Sequence, residues 1–104
     1  MSITDVVNNC RSTLESHYGS QFNGVVLYGS SARGRNIPAS DIDILVLLSK
    51  PFDYFQELRR IIDLLYPIQL DSEQLISAKP APFDEFESGS IQLYRNAKRD
   101  GVLI

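Results

Sequence analysis

Two short segments constrain the fold most: residues 27–34 (LYGSSARG) and residues 40–46 (SDIDILV). The apolar run that leads to Gly29 is typical of a buried strand, and the glycine ends it. The second segment begins with Asp41 and Asp43 and continues as another apolar strand. The connection between them has room for about two helical turns and a loop. The sequence therefore predicts two core strands, with a glycine-flanked turn and two carboxylates between them.

This pattern places groups that bind phosphate beside groups that bind divalent metal. The turn offers backbone amides and the Ser30 hydroxyl, and the amides at the start of a short helix over 30–35 favour anions. Residues two apart on a strand project to one face with Cα atoms roughly 6–7 Å apart, so Asp41 and Asp43 can converge on metal ions. If both groups touch one triphosphate, the two strands must be antiparallel neighbours. Nucleotidyl transfer needs that combination.

Each half of the pattern is common by itself. An Asp-x-Asp pair at the start of a strand is usually a solvated loop edge, and Gly-Ser occurs in any turn. The combination of both halves with two apolar strands and a short gap is what favours a functional site. Arg33 is a candidate phosphate contact, and an exposed or ion-paired arginine on the short helix is the equal alternative.

A third carboxylate on an adjacent strand would complete the site. Residues 66–71 alternate apolar and polar side chains, which predicts a third strand with one covered face. Asp71 is therefore the candidate third acid. Glu73 has the same side-chain parity and is the alternative.

The rest of the chain is predicted to be mainly helical. Apolar residues recur every three to four positions over 3–18 and 52–65, and a last helix is expected over 90–100. The prolines in residues 79–86 predict a surface loop. The apolar residues 102–104 either dock on the sheet or lie at an interface.

Composition limits the kind of protein this is. A chain of 104 residues with 43% apolar and 22% charged residues predicts one globular domain. The net charge of −3 disfavours direct nucleic-acid binding through a basic surface. Cys10 lies on an apolar stripe and is expected to be a core thiol. No apolar run is long enough for a membrane span and no signal peptide is evident, so a cytoplasmic location is expected.

The two segments resemble the nucleotidyltransferase superfamily of the DNA polymerase β type, whose signature is Gly-Ser, a spacer and Asp-x-Asp on a strand. The spelling GSSARG followed by SDID is most similar to the minimal nucleotidyltransferases (MNT proteins). This resemblance implies an α+β fold, with a small mixed β-sheet and helices on one face. It also implies transfer of AMP from ATP to an acceptor with two Mg²⁺ ions.

The resemblance also implies roles for individual residues. Gly29, Ser30 and Arg33 would hold the triphosphate of ATP. The metal ions would be bound by three carboxylates that also act in catalysis: Asp41, Asp43 and Asp71.

Larger members of the superfamily recognise the acceptor with a second domain. A chain of 104 residues has no room for one, so the acceptor is expected to belong to a partner. Minimal nucleotidyltransferases commonly act with a HEPN-domain toxin, and the antitoxin can attach AMP to a tyrosine of that ribonuclease. The resemblance therefore implies a protein adenylyltransferase and antitoxin. The alternative is a non-catalytic antitoxin or nucleotide-binding module that neutralises its partner by complex formation. A third possibility is transfer to a small molecule such as an aminoglycoside.

Overall fold

The computed structural model describes residues 2–29 and 41–104, which form one mixed β-sheet with helices packed on it. The strand order is β3-β2-β1-β4. β1 pairs antiparallel with β2 and β4, whereas β2 and β3 are parallel. The elements in chain order are α1 (Ile3–Tyr18), a 3₁₀ turn (Gly19–Gln21), β1 (Phe22–Tyr28), β2 (Ile42–Leu48), α2 (Tyr54–Asp71), β3 (Ile76–Pro82), α3 (Phe83–Ser88), α4 (Gln92–Asp100) and β4 (Val102–Leu103).

Helix α1 has the bounds that its apolar spacing predicts. The Ser2 side chain accepts a hydrogen bond from the Asp5 backbone N–H at 3.1 Å, which caps the first turn. Gly19 ends the helix at φ +57°, and its N–H donates to the Glu15 carbonyl. The single cysteine, Cys10, is buried and free, as expected for a core thiol.

The sheet separates two apolar clusters. Helices α1 and α2 cover one face, named here the major face, where the buried residues include Leu14, Ile44 and Ile61. Helices α3 and α4 cover part of the other face, the minor face, where Leu45, Leu47 and other apolar residues are buried. The α+β class and the mixed sheet are confirmed. The expectation that helices lie on one face holds for α1 and α2 only, because Phe86, Tyr94 and Ala97 bring α3 and α4 onto the minor face.

The strand predicted over 66–71 is wrong, because α2 continues to Asp71. The apolar residues that contact the core keep the helical spacing, with Ile61 and Leu65 buried and Ile68 packed against them. The apparent alternation over 66–71 comes from Tyr66 and Leu70, which are 58% and 67% exposed. Pro67 lies inside the helix without ending it.

The loop predicted over 79–86 is also wrong. This part of the chain forms most of β3 and the beginning of α3. Within the described part of the chain, β3 is at the edge of the sheet and pairs only with β2, so it can accommodate Pro80 and Pro82. The two prolines suggested a loop because a central strand would not tolerate them, whereas an edge strand does.

The apolar segment 102–104 docks on the sheet. Val102 and Leu103 form β4 beside Leu27 and Val26, and the Ile104 N–H donates to the Val25 carbonyl at 2.8 Å. The predicted last helix is present as α4. Within the described residues, no helix combines the length and apolar character needed to cross a membrane. The short helix predicted over 30–35 lies outside the described residues.

Candidate active site

Gly29 and the two carboxylates lie at the same end of the sheet. Strands β1 and β2 are antiparallel, and Tyr28 is the register partner of Asp43. Gly29 directly follows β1 and Asp41 directly precedes β2. The antiparallel pairing predicted from the motif is therefore confirmed, and it brings together two segments that the chain separates by eleven residues.

The Asp43 carboxylate packs against the backbone of Gly29. A Cβ atom added to Gly29 would lie 2.6 Å from Asp43 Oδ2, closer than real side chains approach. Gly29 also has φ +75°, a conformation that side chains disfavour. The positive φ favours glycine here, and the absence of a side chain leaves room for the Asp43 carboxylate beside the Gly29 backbone.

The carboxylates of Asp41 and Asp43 repel each other at the partly exposed end of β2. Burial raises the pKa of Asp43, the negative charge of Asp41 raises it further, and the positive charge of Lys79 opposes this shift. Asp41 is exposed and Asp43 is half-buried. The positive charge of a bound cation would relieve this repulsion. Carboxylate oxygens are ligands that suit Mg²⁺ and other hard divalent ions.

Tyr28 borders the same site on the minor face. Burial, followed by the charge of Asp43 and the proximity of Tyr54, raises the pKa of Tyr28 to about 12. Its phenol is therefore protonated at neutral pH and is available as a hydrogen-bond donor. Tyr28 also packs against the apolar cluster of the minor face.

The third carboxylate is not where the sequence predicts it. Asp71 is the last residue of α2, which packs on the major face, whereas Asp43 projects toward the minor face between Ile42 and Ile44. Glu73 is exposed in the connection between α2 and β3. Asp71 is therefore not on a strand beside Asp43, because residues 66–71 belong to α2.

Strand β3 instead places Ser77 and Lys79 next to the acids. Ser77 is the register partner of Asp43, and Lys79 is the partner of Leu45. Residues at alternate positions share a face, so both side chains lie on the face of Asp43. Sequence reasoning missed them because the prolines that follow suggested a loop. The apolar pair Leu75-Ile76 was the one signal of a strand at this place.

The donor set fits a divalent cation through Asp41 and Asp43. Among residues 2–29 and 41–104, no group of three or more histidine, cysteine, aspartate or glutamate side chains could hold a metal ion. The predicted phosphate contacts Ser30 and Arg33 lie outside the described residues. Residues 30–40 contain no acidic residue, histidine or cysteine, so a third ligand of this kind cannot come from them.

Comparison with known proteins shows the family to which the chain belongs. Residues 7–99 match the family described as "Nucleotidyltransferase domain". A protein of Methanocaldococcus jannaschii named "Putative protein adenylyltransferase" is 36% identical over 70 residues, which cover 64% of this chain and 70% of that protein. The family match spans nearly the whole chain, including both segments from which the site is built. The chain therefore belongs to the nucleotidyltransferase domain family.

Proposed function

We propose that this protein is a Mg²⁺-dependent nucleotidyltransferase that transfers AMP from ATP to a hydroxyl group of a partner protein. The observation that carries the proposal is the Asp41–Asp43 pair at the beginning of β2, with the Asp43 carboxylate against Gly29. Family membership supports nucleotidyl transfer as the type of reaction. ATP, Mg²⁺ and the protein acceptor are the proposed details.

The chain's own groups would act mainly by positioning and by charge. In the reaction, the acceptor oxygen bonds to the α-phosphorus, the bond from that phosphorus to the bridging oxygen breaks, and pyrophosphate leaves while the hydroxyl proton passes to solvent. Asp41 and Asp43 would hold Mg²⁺, which neutralises charge on the triphosphate when it is bound. Ser30 and the amides near Gly29 would bind phosphate oxygens, and Tyr28 could donate a hydrogen bond at the same edge.

A protein acceptor is supported by the relative's name and by an apolar surface. The M. jannaschii protein is named as a protein adenylyltransferase. On α2 the exposed apolar side chains include Phe55, Ile62, Tyr66 and Leu70, which are 54–68% exposed. Two of them, Ile62 and Tyr66, line a groove of about 220 Å³ between α2 and β3. Exposed apolar surface beside a groove commonly marks a protein–protein contact.

The proposed acceptor is a tyrosine of a HEPN-domain toxin, and this chain would be the antitoxin. This choice rests on the resemblance of GSSARG and SDID to the minimal nucleotidyltransferases. Tyrosine attack on ATP fits the reaction above, because the phenol supplies the oxygen that bonds to the α-phosphorus.

The alternative is a non-catalytic antitoxin that binds nucleotide and neutralises its partner by complex formation. One observation favours it: the register partner of Asp43 on β3 is Ser77, so no third carboxylate is placed there to activate the acceptor. The apolar segment that the sequence suggested for partner binding is less suited to this role, since Val102 and Leu103 are already paired with β1.

Intact mass spectrometry of a candidate HEPN partner separates the two functions. The partner is mixed with this protein, ATP and Mg²⁺, and a gain of one or more AMP units is expected. Asp43→Asn should abolish the gain, whereas Asp63→Asn, a control at an exposed position on α2, should retain it. A stable complex with no gain in mass would favour the non-catalytic antitoxin. Retained transfer in Asp43→Asn would contradict the proposed site.

A further inference from the structure

The register of β3 is fixed at the end of the sheet where the acids lie. The Ile42 N–H donates to the Leu75 carbonyl at 2.8 Å, and the Ile76 N–H donates to Gln69 Oε1 at 2.7 Å. The Gln69 amide also donates to the Gln74 carbonyl at 3.0 Å. These bonds tie the end of α2 to the beginning of β3. They leave little freedom for β3 to slip along β2 and bring another residue beside Asp43.

With this register, a lysine faces the carboxylates. Lys79 is two residues beyond Ser77 on the face of Asp43, and its side chain is exposed. Strand spacing puts the Cα atoms of Asp43 and Lys79 roughly 8 Å apart, within reach of a flexible lysine side chain. The register of β3 therefore places the Lys79 ammonium group at the same edge of the sheet as the two carboxylates.

The site consequently differs in charge from one built on three carboxylates. Two carboxylates and one ammonium group attract fewer cations than three carboxylates do. An ammonium group is also a good ligand for phosphate oxygens, to which it acts as a point charge. The groups at this edge can thus neutralise a triphosphate with less metal than the resemblance implies.

We propose that Lys79 binds the triphosphate of the nucleotide, and that the chain–nucleotide complex holds one divalent cation rather than two. This inference rests on the proposed function, since it assumes that ATP binds at the Asp41–Asp43 edge. The Lys79 ammonium group on β3 would supply the positive charge that a second cation would otherwise provide. A lysine that only offsets the charge of Asp43 would leave nucleotide affinity unchanged when it is replaced.

The first test is ATP affinity measured by isothermal titration calorimetry with Mn²⁺ present. Lys79→Met keeps the length of the side chain and removes its charge, so the dissociation constant for ATP should rise about ten-fold or more. Lys50→Met is the matched control, because Lys50 is exposed and paired with Asp84 and Glu85 at the other end of β2. It should bind ATP like the unaltered chain. Equal affinity in Lys79→Met and the unaltered chain would overturn the role of Lys79.

The second test counts cations by electron paramagnetic resonance of free Mn²⁺, titrated into the chain with one equivalent of ATP. One Mn²⁺ per complex is expected. Ser77→Asp places a third carboxylate at the register partner of Asp43 and should raise the number toward two. Two ions on the unaltered chain would overturn the one-cation claim. If the unaltered chain binds no ATP at all, the proposed function fails too, which distinguishes that outcome from failure of the Lys79 inference alone.

Discussion

The two faces of β2 meet different surroundings. On the major face, every side chain of the strand is buried under α1 and α2; these are Ile42, Ile44, Val46 and Leu48. On the minor face, α3 and α4 cover Leu45 and Leu47. They leave Asp43 half-buried at the end of the strand.

This difference shows how a small sheet can hold both a stable core and a polar site. The continuous apolar face stabilises the strand, with each fully buried aliphatic side chain contributing roughly 1.5–3 kcal/mol relative to an exposed one. The interrupted face provides a place where a carboxylate keeps contact with water and ligands. Asp43 can be ionised there because its covering layer is incomplete, while its neighbours Ile42 and Ile44 hold the backbone that positions it.

The largest expected effect concerns the minor face. Asp43→Asn should reduce AMP transfer by at least about 1,000-fold, because it removes the charge of a proposed metal ligand worth several kcal/mol in the transition state. The fold should be retained, since aspartate and asparagine have the same shape. The transfer rate tests the loss of activity, and circular dichroism of the same preparation tests whether the fold is retained. A variant that transfers AMP at the original rate would show that the polar end of β2 is not the active site.

The next effect concerns the layer over the major face. Ile61→Ala should lower the free energy of unfolding by about 2–5 kcal/mol, because Ile61 is 0% exposed and its loss leaves a cavity against the sheet. Ile62→Ala is the matched control at the neighbouring position, where the side chain is 54% exposed. Its change should be within about 0.5 kcal/mol. Urea denaturation of both variants makes the comparison, and equal losses would contradict the described core.

A smaller effect is expected from replacing Gly29, whose backbone packs against the Asp43 carboxylate. Gly29→Ala should destabilise the fold by about 1–2 kcal/mol through its positive φ, and it should also weaken Mn²⁺ binding because the added Cβ displaces Asp43. Gly19→Ala has a positive φ but open space around it. It should cost stability without changing Mn²⁺ affinity. Thermal unfolding and a Mn²⁺ titration separate these two consequences.

The smallest effect concerns a polar pair that joins α1 to α2. The Tyr18 hydroxyl donates to Glu57 Oε1 at 2.8 Å, and Glu57 is buried beside Arg60. Tyr18→Phe should lower the free energy of unfolding by about 1 kcal/mol at neutral pH. Tyr66→Phe, at a position 58% exposed, should have almost no effect.

The same pair gives a pH dependence with a defined sign. Burial, then the hydrogen bond to Glu57 and its charge, raise the pKa of Tyr18, with Arg60 opposing the shift. The folded chain therefore holds this proton more tightly than the unfolded chain does. Stability should fall as the pH rises above the ordinary tyrosine value of about 10. The fall should be less steep in Tyr18→Phe, and identical slopes in the two chains would contradict the described contact.

The sequence predicted the parts of the fold that depend on strong local patterns. The bounds of α1 followed from its apolar spacing and its caps, and the antiparallel pairing of β1 and β2 followed from the motif. The end of α2 was missed because Tyr66 and Leu70 are apolar yet exposed, which imitates the alternation of a strand. Burial of Ile61 and Leu65, with Ile68 packed one turn further along, determined the helix instead, and residues 66–71 alone do not reveal which of their apolar side chains face the core.

In the candidate site, too, the sequence predicted only the residues that lie next to strong local patterns. Gly29, Asp41 and Asp43 are adjacent to strong strand signals, and their proximity was predicted from the requirement that both groups touch one triphosphate. Ser77 and Lys79 reach the site through a parallel pairing between strands that α2 separates in sequence. Nothing near Lys79 indicates that register, because it is set by backbone contacts of Ile42 and by the Gln69 side chain.

The most direct test of the account is to locate bound Mn²⁺·ATP by paramagnetic broadening of backbone amide signals in nuclear magnetic resonance spectra. The site proposed here predicts that broadening is strongest at Gly29, Asp43 and Ser77, which share one end of the sheet. Signals from Leu48, at the other end of β2, should persist. Broadening centred on Leu48, or spread evenly over the chain, would contradict the claim that the nucleotide binds where the minor face is left uncovered.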